Sequence, residues 1–83
     1  MKMRKESYNF ILEVFTEHKE VIKNHKERLK EKGDYQNLEV RTAFNVYHGL
    51  FSLDEIRNIR EKDNLKDAHL QTALLKALRE LNI

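Results

Sequence analysis

The four histidines of the chain are the residues best suited to bind a metal ion or to move a proton near neutral pH. Two ligands on one helix must lie three or four residues apart to reach the same ion at about 2.1 Å. His18 and His25 are seven residues apart, and only apolar residues and one arginine occupy the three- and four-residue offsets around them. We therefore expect no metal site and no cofactor, and we interpret both histidines as polar members of a helix seam.

Arg41 and His48 form a second arrangement that could do chemistry, because a histidine can transfer a proton and an arginine can stabilise a phosphorane. They end the stretch Arg-Thr-Ala-Phe-Asn-Val-Tyr-His. This stretch resembles the Arg-x4-6-His motif of the HEPN family of all-α ribonucleases, in which the Arg and His of two protomers meet across a dimer interface. The resemblance implies an RNA-cleaving dimer. We assign no catalytic residue, and this nuclease is the outsider among three hypotheses.

The C-terminal half offers a possible nucleic-acid surface. A capped helix starting near Ser52 precedes a helix containing Thr72-Ala-Leu-Leu-Lys-Ala-Leu-Arg-Glu-Leu. Together they resemble the last two helices of the helix-turn-helix family, whose final helix enters the major groove with its first turns. The resemblance implies nucleic-acid contacts at five positions: Lys66, His69, Gln71, Thr72 and Lys76.

The distribution of charge argues against that surface. Residues 34–83 hold seven Lys and Arg against eight Asp and Glu, whereas residues 1–33 hold nine against six. The supposed recognition helix therefore lies in the slightly acidic part of the chain. In the basic part, glutamates alternate with the lysines, and phosphate binding with counterion release needs several unopposed cations. A solvated helix face is the simpler interpretation.

Composition determines what kind of scaffold carries these residues. The chain has 83 residues, of which 40% are apolar and 36% charged, with two Gly and no Pro, Cys or Trp. This excludes a collagen, a disulfide scaffold and a thiolate metal site. The longest uncharged run, Thr42 to Leu53, is too short for a membrane span of about 20 residues. No secretion signal is recognised, so we expect a cytoplasmic protein without a membrane partner.

Hydrophobic periodicity predicts four helices in a single domain, 1–83, over about 4–32, 35–48, 53–62 and 65–81. Gly33 is the predicted end of the first helix, Asp34 the N-cap of the second, and Gly49 its end or kink. Ser52 and Glu55 form a capping box for the third. The predicted fold is all-α, a small antiparallel or orthogonal helical bundle of three to four helices with a long N-terminal helix.

A first helix of about 40 Å, at about 1.5 Å per residue, is longer than a core built by three shorter helices. We expect its second half to overhang and to be covered by another chain, in a homodimer or a complex. The predicted partner-binding residues are those on the overhanging seam together with the aromatic residue of the following turn: His18, Ile22, His25, Leu29 and Tyr35.

Function is the least determined part of the prediction. The first hypothesis is a small non-enzymatic regulatory or adaptor protein that acts through protein–protein interaction, as many accessory proteins of bacteria, plasmids or phages do. The alternative is a nucleic-acid-binding protein that uses its helix-turn-helix-like half. Both hypotheses assign function to exposed helix surface, because the hydrophobic pattern of the sequence indicates packed helices and no catalytic or metal site.

Overall fold

The computed structural model describes residues 3–33, 36–63 and 65–83, and all regular secondary structure in these ranges is helical. Five helices are present rather than the three to four predicted. They are α1 (Lys5–Glu17), α2 (Lys19–Glu31), α3 (Leu38–Leu50), α4 (Leu53–Asp63) and α5 (Asp67–Glu80). The prediction of an all-α protein is confirmed at this coarser level.

The long N-terminal helix is interrupted at His18, so the prediction of one helix over residues 4–32 is wrong. The backbone of His18 has φ −110° and ψ 24°, outside the helical region. Its imidazole Nδ1 donates to the carbonyl oxygen of Val14 at 3.0 Å. The Thr16 hydroxyl likewise donates to the carbonyl of Leu12 at 2.7 Å. Side-chain donors that return to the carbonyl four residues earlier compete with backbone donors and bend helices.

The core forms where α3 packs along both α2 and α5, while α1 packs along α5. An ion pair between Arg79 and Glu39, 3.4 Å apart, also joins α5 to α3 at the surface. The buried apolar side chains form one cluster: Ile11, Phe15, Ile22, Ala43, Val46, Tyr47, Phe51, Ile59, Leu65, Leu70, Leu74, Ala77 and Leu78.

The predicted overhang is also wrong, because the interruption at His18 allows α2 to pack against α3 of its own chain. Ile22 is fully buried, and His25 and Leu29 are half-buried. Nδ2 of Asn45 on α3 donates to Nε2 of His25 at 3.2 Å. The chain thus encloses Ile22 itself, which removes the reason for covering this seam with a second chain.

The helix ends agree with the predicted signals in part. Gly33 follows α2 with φ 75°, a conformation that glycine adopts easily, and its N–H donates to the carbonyl of Lys30 at 3.0 Å. The predicted end at Gly49 is wrong, since α3 continues to Leu50. A Cβ added at Gly49 would meet no atom within 4 Å. The predicted N-cap Asp34 lies outside the described residues.

The capping box at the start of α4 is confirmed. The backbone N–H of Ser52 donates to a carboxylate oxygen of Glu55 at 2.8 Å, and the N–H of Glu55 donates to the hydroxyl oxygen of Ser52 at 3.1 Å. Both bonds satisfy N–H groups that a helix start leaves without partners. The start of α4 is therefore specified locally by four residues.

No helix in the described part of the chain combines the length and apolar character that a membrane crossing requires.

The adjacent residues Ile22 and Val21 test whether α2 belongs to the core of the single chain. Ile22 is fully buried, whereas Val21 is 51% exposed. We expect Ile22→Ala to lower the free energy of unfolding by about 2 to 5 kcal/mol through lost burial and a cavity. Val21→Ala should change it by about 0.5 kcal/mol or less.

Denaturant unfolding measures both values, and light scattering on the same samples measures mass. Equal losses in the two variants, or a loss in Ile22→Ala that accompanies a fall in mass, would contradict the enclosure of Ile22 within one chain.

Candidate protein-binding groove

α4 is the helix most loosely attached to the rest of the molecule. Among its described side chains, Ile59 alone is buried, at 6% exposure, and Ile56 is half-buried. Leu53, in the first turn, is 77% exposed, the largest value among the exposed large hydrophobic residues of the described chain. Because α4 contacts the other helices mainly through one side, an open space remains between α4 and α3.

This space is a groove of about 320 Å³, which we call the α3–α4 groove. Residues of α3 form one wall, residues of α4 form the other, and a leucine of α5 closes one end. The lining residues are Phe44, Tyr47, His48, Leu53, Ile56, Arg57, Arg60 and Leu70.

The α3 wall of the groove is aromatic and well anchored. Tyr47 is 1% exposed, and its ring lies 4.9 Å from that of Phe51. The imidazole of His48 stacks on Phe44 at 6.4 Å and meets Tyr47 edge-on at 5.6 Å. Rings held by neighbouring rings lose little conformational entropy when a ligand covers them.

The charged residues that line the groove are two arginines. Arg57, Arg60 and His48 line it, and no carboxylate does. Arg60 forms an exposed ion pair with Asp67, the first residue of α5. Exposed pairs of this kind contribute about 0.2 to 1 kcal/mol, so a ligand carboxylate can compete for Arg60. Among the described residues, Arg57 has no ion-pair partner within 4 Å.

The predicted Arg–His pair is placed on α3, with both side chains exposed. His48 lines the α3–α4 groove, whereas Arg41 is not among the lining residues. The structure therefore groups His48 with two arginines of α4 that the sequence comparison with HEPN nucleases did not include. No catalytic residue was predicted, and an Arg–His pair that meets its counterpart across two protomers stays the outsider hypothesis.

The predicted partner-binding residues that the structure describes are partly or fully buried. Ile22 is fully buried, His25 is bonded to Asn45 of α3, and His18 and Leu29 are half-buried. Tyr35 lies outside the described residues. That these residues bind a partner stays a prediction. The overhang on which the prediction was based is not present.

The predicted nucleic-acid contacts lie on α5 and its N-cap. Lys66, Gln71, Thr72 and Lys76 are exposed, and His69 is half-buried. His69, Thr72 and Lys76 share a second cleft, of about 520 Å³, with three residues of the chain start and one further residue of α5. Its lining is Met3, Lys5, Tyr8, His69, Thr72, Ala73 and Lys76.

Acidic residues occupy the helix ends that would face phosphates in a helix-turn-helix complex. The first turn of α4 contains Asp54 and Glu55, and the first turn of α5 contains Asp67. Backbone N–H groups at a helix N-terminus attract anions. Here the carboxylates at the same ends oppose that attraction, so the geometry does not favour nucleic-acid binding at this surface.

Tyr8 in the second cleft carries the clearest change of pKa. Burial raises the pKa of Tyr8 to about 12, and the nearby Glu80 carboxylate adds to the shift. The hydroxyl oxygen is buried and has no hydrogen-bond partner of good geometry among the described residues. The ammonium of Lys76 lies 5.1 Å from the centroid of the ring.

Within residues 3–33, 36–63 and 65–83, no three His, Asp or Glu side chains lie close enough together to hold a metal ion. Comparisons of the chain with protein-family models, with curated proteins and with solved structures find no match. Any functional assignment therefore depends on the grooves described above.

The α3–α4 groove was not recognised from the sequence, although one signal for it is present. Leu53, Ile56, Arg57 and Arg60 follow a spacing of three, four and seven residues and so share one face of α4. That face starts directly after the cap residue Ser52 and is half apolar and half basic. Such a stripe indicates a surface that is neither core nor ordinary solvated helix.

Nucleic-acid binding by α5 can be tested with Lys76→Glu and the matched control Lys30→Glu, an exposed lysine of α2. We expect no gel retardation of duplex or single-stranded DNA or RNA by the unmodified protein at 50 mM salt, because carboxylates occupy the relevant helix starts. Retardation that Lys76→Glu abolishes and Lys30→Glu preserves would contradict this expectation.

The raised pKa of Tyr8 predicts a specific alkaline instability. The folded chain keeps a proton at Tyr8 that the unfolded chain, with a pKa of about 10, has released. The free energy of unfolding should therefore fall as pH rises from about 10 to about 12, and Tyr8→Phe should reduce this fall.

Denaturant unfolding at several pH values measures the effect, and absorbance at 295 nm follows tyrosinate formation in both proteins. The tyrosinate signal of Tyr8 is the part of the absorbance change that the unmodified protein shows and Tyr8→Phe lacks. If this signal titrates near pH 10 in the folded protein, the raised pKa is contradicted.

Proposed function

We propose that this chain is a non-enzymatic adaptor or regulatory protein that binds an acidic, apolar segment of another protein in the α3–α4 groove. The observation that carries the proposal is Leu53, which is 77% exposed at an aromatic groove whose charged lining residues are two arginines. Binding at such a site requires no change in the fold of α1, α2, α3 or α5.

The exposed leucine supports a binding role because its burial would be favourable. Full burial of a leucine side chain contributes about 1.5 to 3 kcal/mol. Leu53 follows the cap residue Ser52 directly, and neither bond of the capping box involves its side chain. Its apolar side chain is therefore not needed to start α4 and is free to contact a partner.

The charge of the groove favours a different protein over a second copy of this chain. In a two-fold symmetric dimer, the same surface patch of both copies meets itself. Two α3–α4 grooves facing each other would bring together the arginines of both copies, and like charges at an interface are unfavourable. A partner segment with carboxylates avoids this repulsion and complements the rim.

The chemistry of the lining also favours binding over catalysis. His48 could transfer a proton, but its described neighbours in the groove are aromatic rings and arginines. The lining holds no carboxylate that could orient the imidazole as a general base. Apolar surface with flanking cations is instead typical of a recognition site, where burial supplies affinity and charge supplies specificity.

The proposal can be tested by pairing Leu53→Asp with Val21→Asp, which introduces the same charge at another exposed apolar residue, on α2. A photo-crosslinking amino acid at position 53, introduced in the cells that produce the protein, identifies the partner. Calorimetry with the purified partner then measures affinity. We expect Leu53→Asp to weaken binding at least tenfold and Val21→Asp to change it less than twofold.

Circular dichroism confirms that both variants remain helical. The proposal fails if position 53 yields no protein crosslink, or if both aspartate variants bind the partner as tightly as the unmodified chain does.

A further inference from the structure

We infer that the segment bound in the α3–α4 groove is an amphipathic helix of about two turns, with carboxylates beside its apolar stripe on the side that faces α4. This inference rests on the proposed function and specifies the chemistry of the partner. It draws on the backbone of the groove walls, on the length of the α4 stripe and on the position of the cations.

The backbone of the groove walls favours a helical occupant. Both long walls are helices, and the described part of the chain contains no strand whose edge could pair with a peptide. An extended segment would therefore bring backbone N–H and C=O groups into an apolar groove without partners there, which is costly. A helix satisfies its own backbone and presents side chains alone, as in other helix-in-groove complexes.

The dimensions of the groove set the length of that helix. The α4 wall extends from Leu53 to Arg60, eight residues separated by seven steps, or about 10 Å at about 1.5 Å per step. Two turns of a partner helix cover the same distance. Two apolar side chains three or four residues apart would then fit between the aromatic wall, with Phe44, and the aliphatic wall, with Ile56.

The two arginines of the groove lie on its α4 wall. Arg57 and Arg60 line the groove there, and no Lys, Arg, Asp or Glu of α3 lines it. α4 also carries Asp54 and Glu61, but neither lines the groove. The net charge of α4 therefore does not indicate which partner charge the groove prefers. The preference for carboxylates comes from the residues that line the groove.

The planar guanidinium groups also define where the carboxylates of the partner should lie. Arginine binds a carboxylate with two parallel hydrogen bonds when the geometry permits. Arg57 has no such partner among the described residues, so it is the residue that we expect to determine the preference for acidic helices. Arg60 must first exchange its contact with Asp67.

Three synthetic 15-residue peptides test the inference on the full chain. They share one leucine stripe, and the residues beside the stripe are all Glu, all Gln or all Lys. We expect fluorescence anisotropy at 50 mM salt to show at least tenfold tighter binding of the Glu peptide than of the Lys peptide, with the Gln peptide between them. At 300 mM salt the difference should shrink at least threefold.

Arg57→Glu and its matched control Arg28→Glu locate the interaction. Arg28 is an exposed arginine of α2 that lies in a different groove, beside Val21 and Asn45. We expect Arg57→Glu to weaken binding of the Glu peptide about tenfold and to strengthen binding of the Lys peptide. Arg28→Glu should change the affinity for either peptide less than twofold.

Failure of this inference and failure of the proposed function give different results. Three results would overturn the inference of an acidic helix. Either no peptide binds, or the Gln or Lys peptide binds as tightly as the Glu peptide, or Arg28→Glu changes the affinities as much as Arg57→Glu does. A crosslinked protein partner at position 53 would still support the proposed function. A chain that sediments as a dimer, and that Leu53→Asp converts to a monomer, would assign the groove to a second copy and overturn both.

Discussion

The ring of Phe51, in the turn between α3 and α4, contacts aromatic rings of both α1 and α3, and these contacts fix where α4 leaves the core. Its centroid lies 5.5 Å from Phe10, 6.1 Å from Phe15 and 4.9 Å from Tyr47. Edge-to-face and tilted rings at these distances stabilise a packing beyond the area they bury. The start of α4 is thereby held firmly, whereas the rest of α4 depends on Ile59. The groove between α3 and α4 follows from this one-ended attachment.

The features of the fold that the sequence predicts are those encoded within a few neighbouring residues. The capping box of α4 and the apolar stripe of α5, with Leu70, Leu74 and Leu78, are complete in the local pattern. The interruption at His18 is different, because the imidazole and hydroxyl that return to carbonyls of the preceding turn there do not mark it uniquely: Thr42 and Thr72 make the same kind of bond within the unbroken helices α3 and α5. The same residue types project into solvent in many straight helices. Periodicity alone therefore predicts one long helix where the chain has two.

The candidate site was not predicted from the sequence, for a related reason. Its walls come from three helices, and their lining residues extend from position 44 to position 70. Titratable residues at short spacings indicate sites that are built on a single helix. His48 was identified in that way, but its arginine neighbours in the structure are on α4. The exposure of Leu53 could not be foreseen, since a leucine just after a helix cap is more often part of the core.

Gly49 lowers the helix propensity of the last turn of α3. A helical glycine costs about 1 kcal/mol relative to alanine, through the backbone freedom that it must give up. At this position no packing contact compensates, because the space where a Cβ would lie is empty to 4 Å. The last turn of α3 therefore depends on its backbone hydrogen bonds, without packing at position 49. Because Phe51 follows directly and its ring is held by Phe10, Phe15 and Tyr47, the start of α4 stays in place even though this turn is weakly packed.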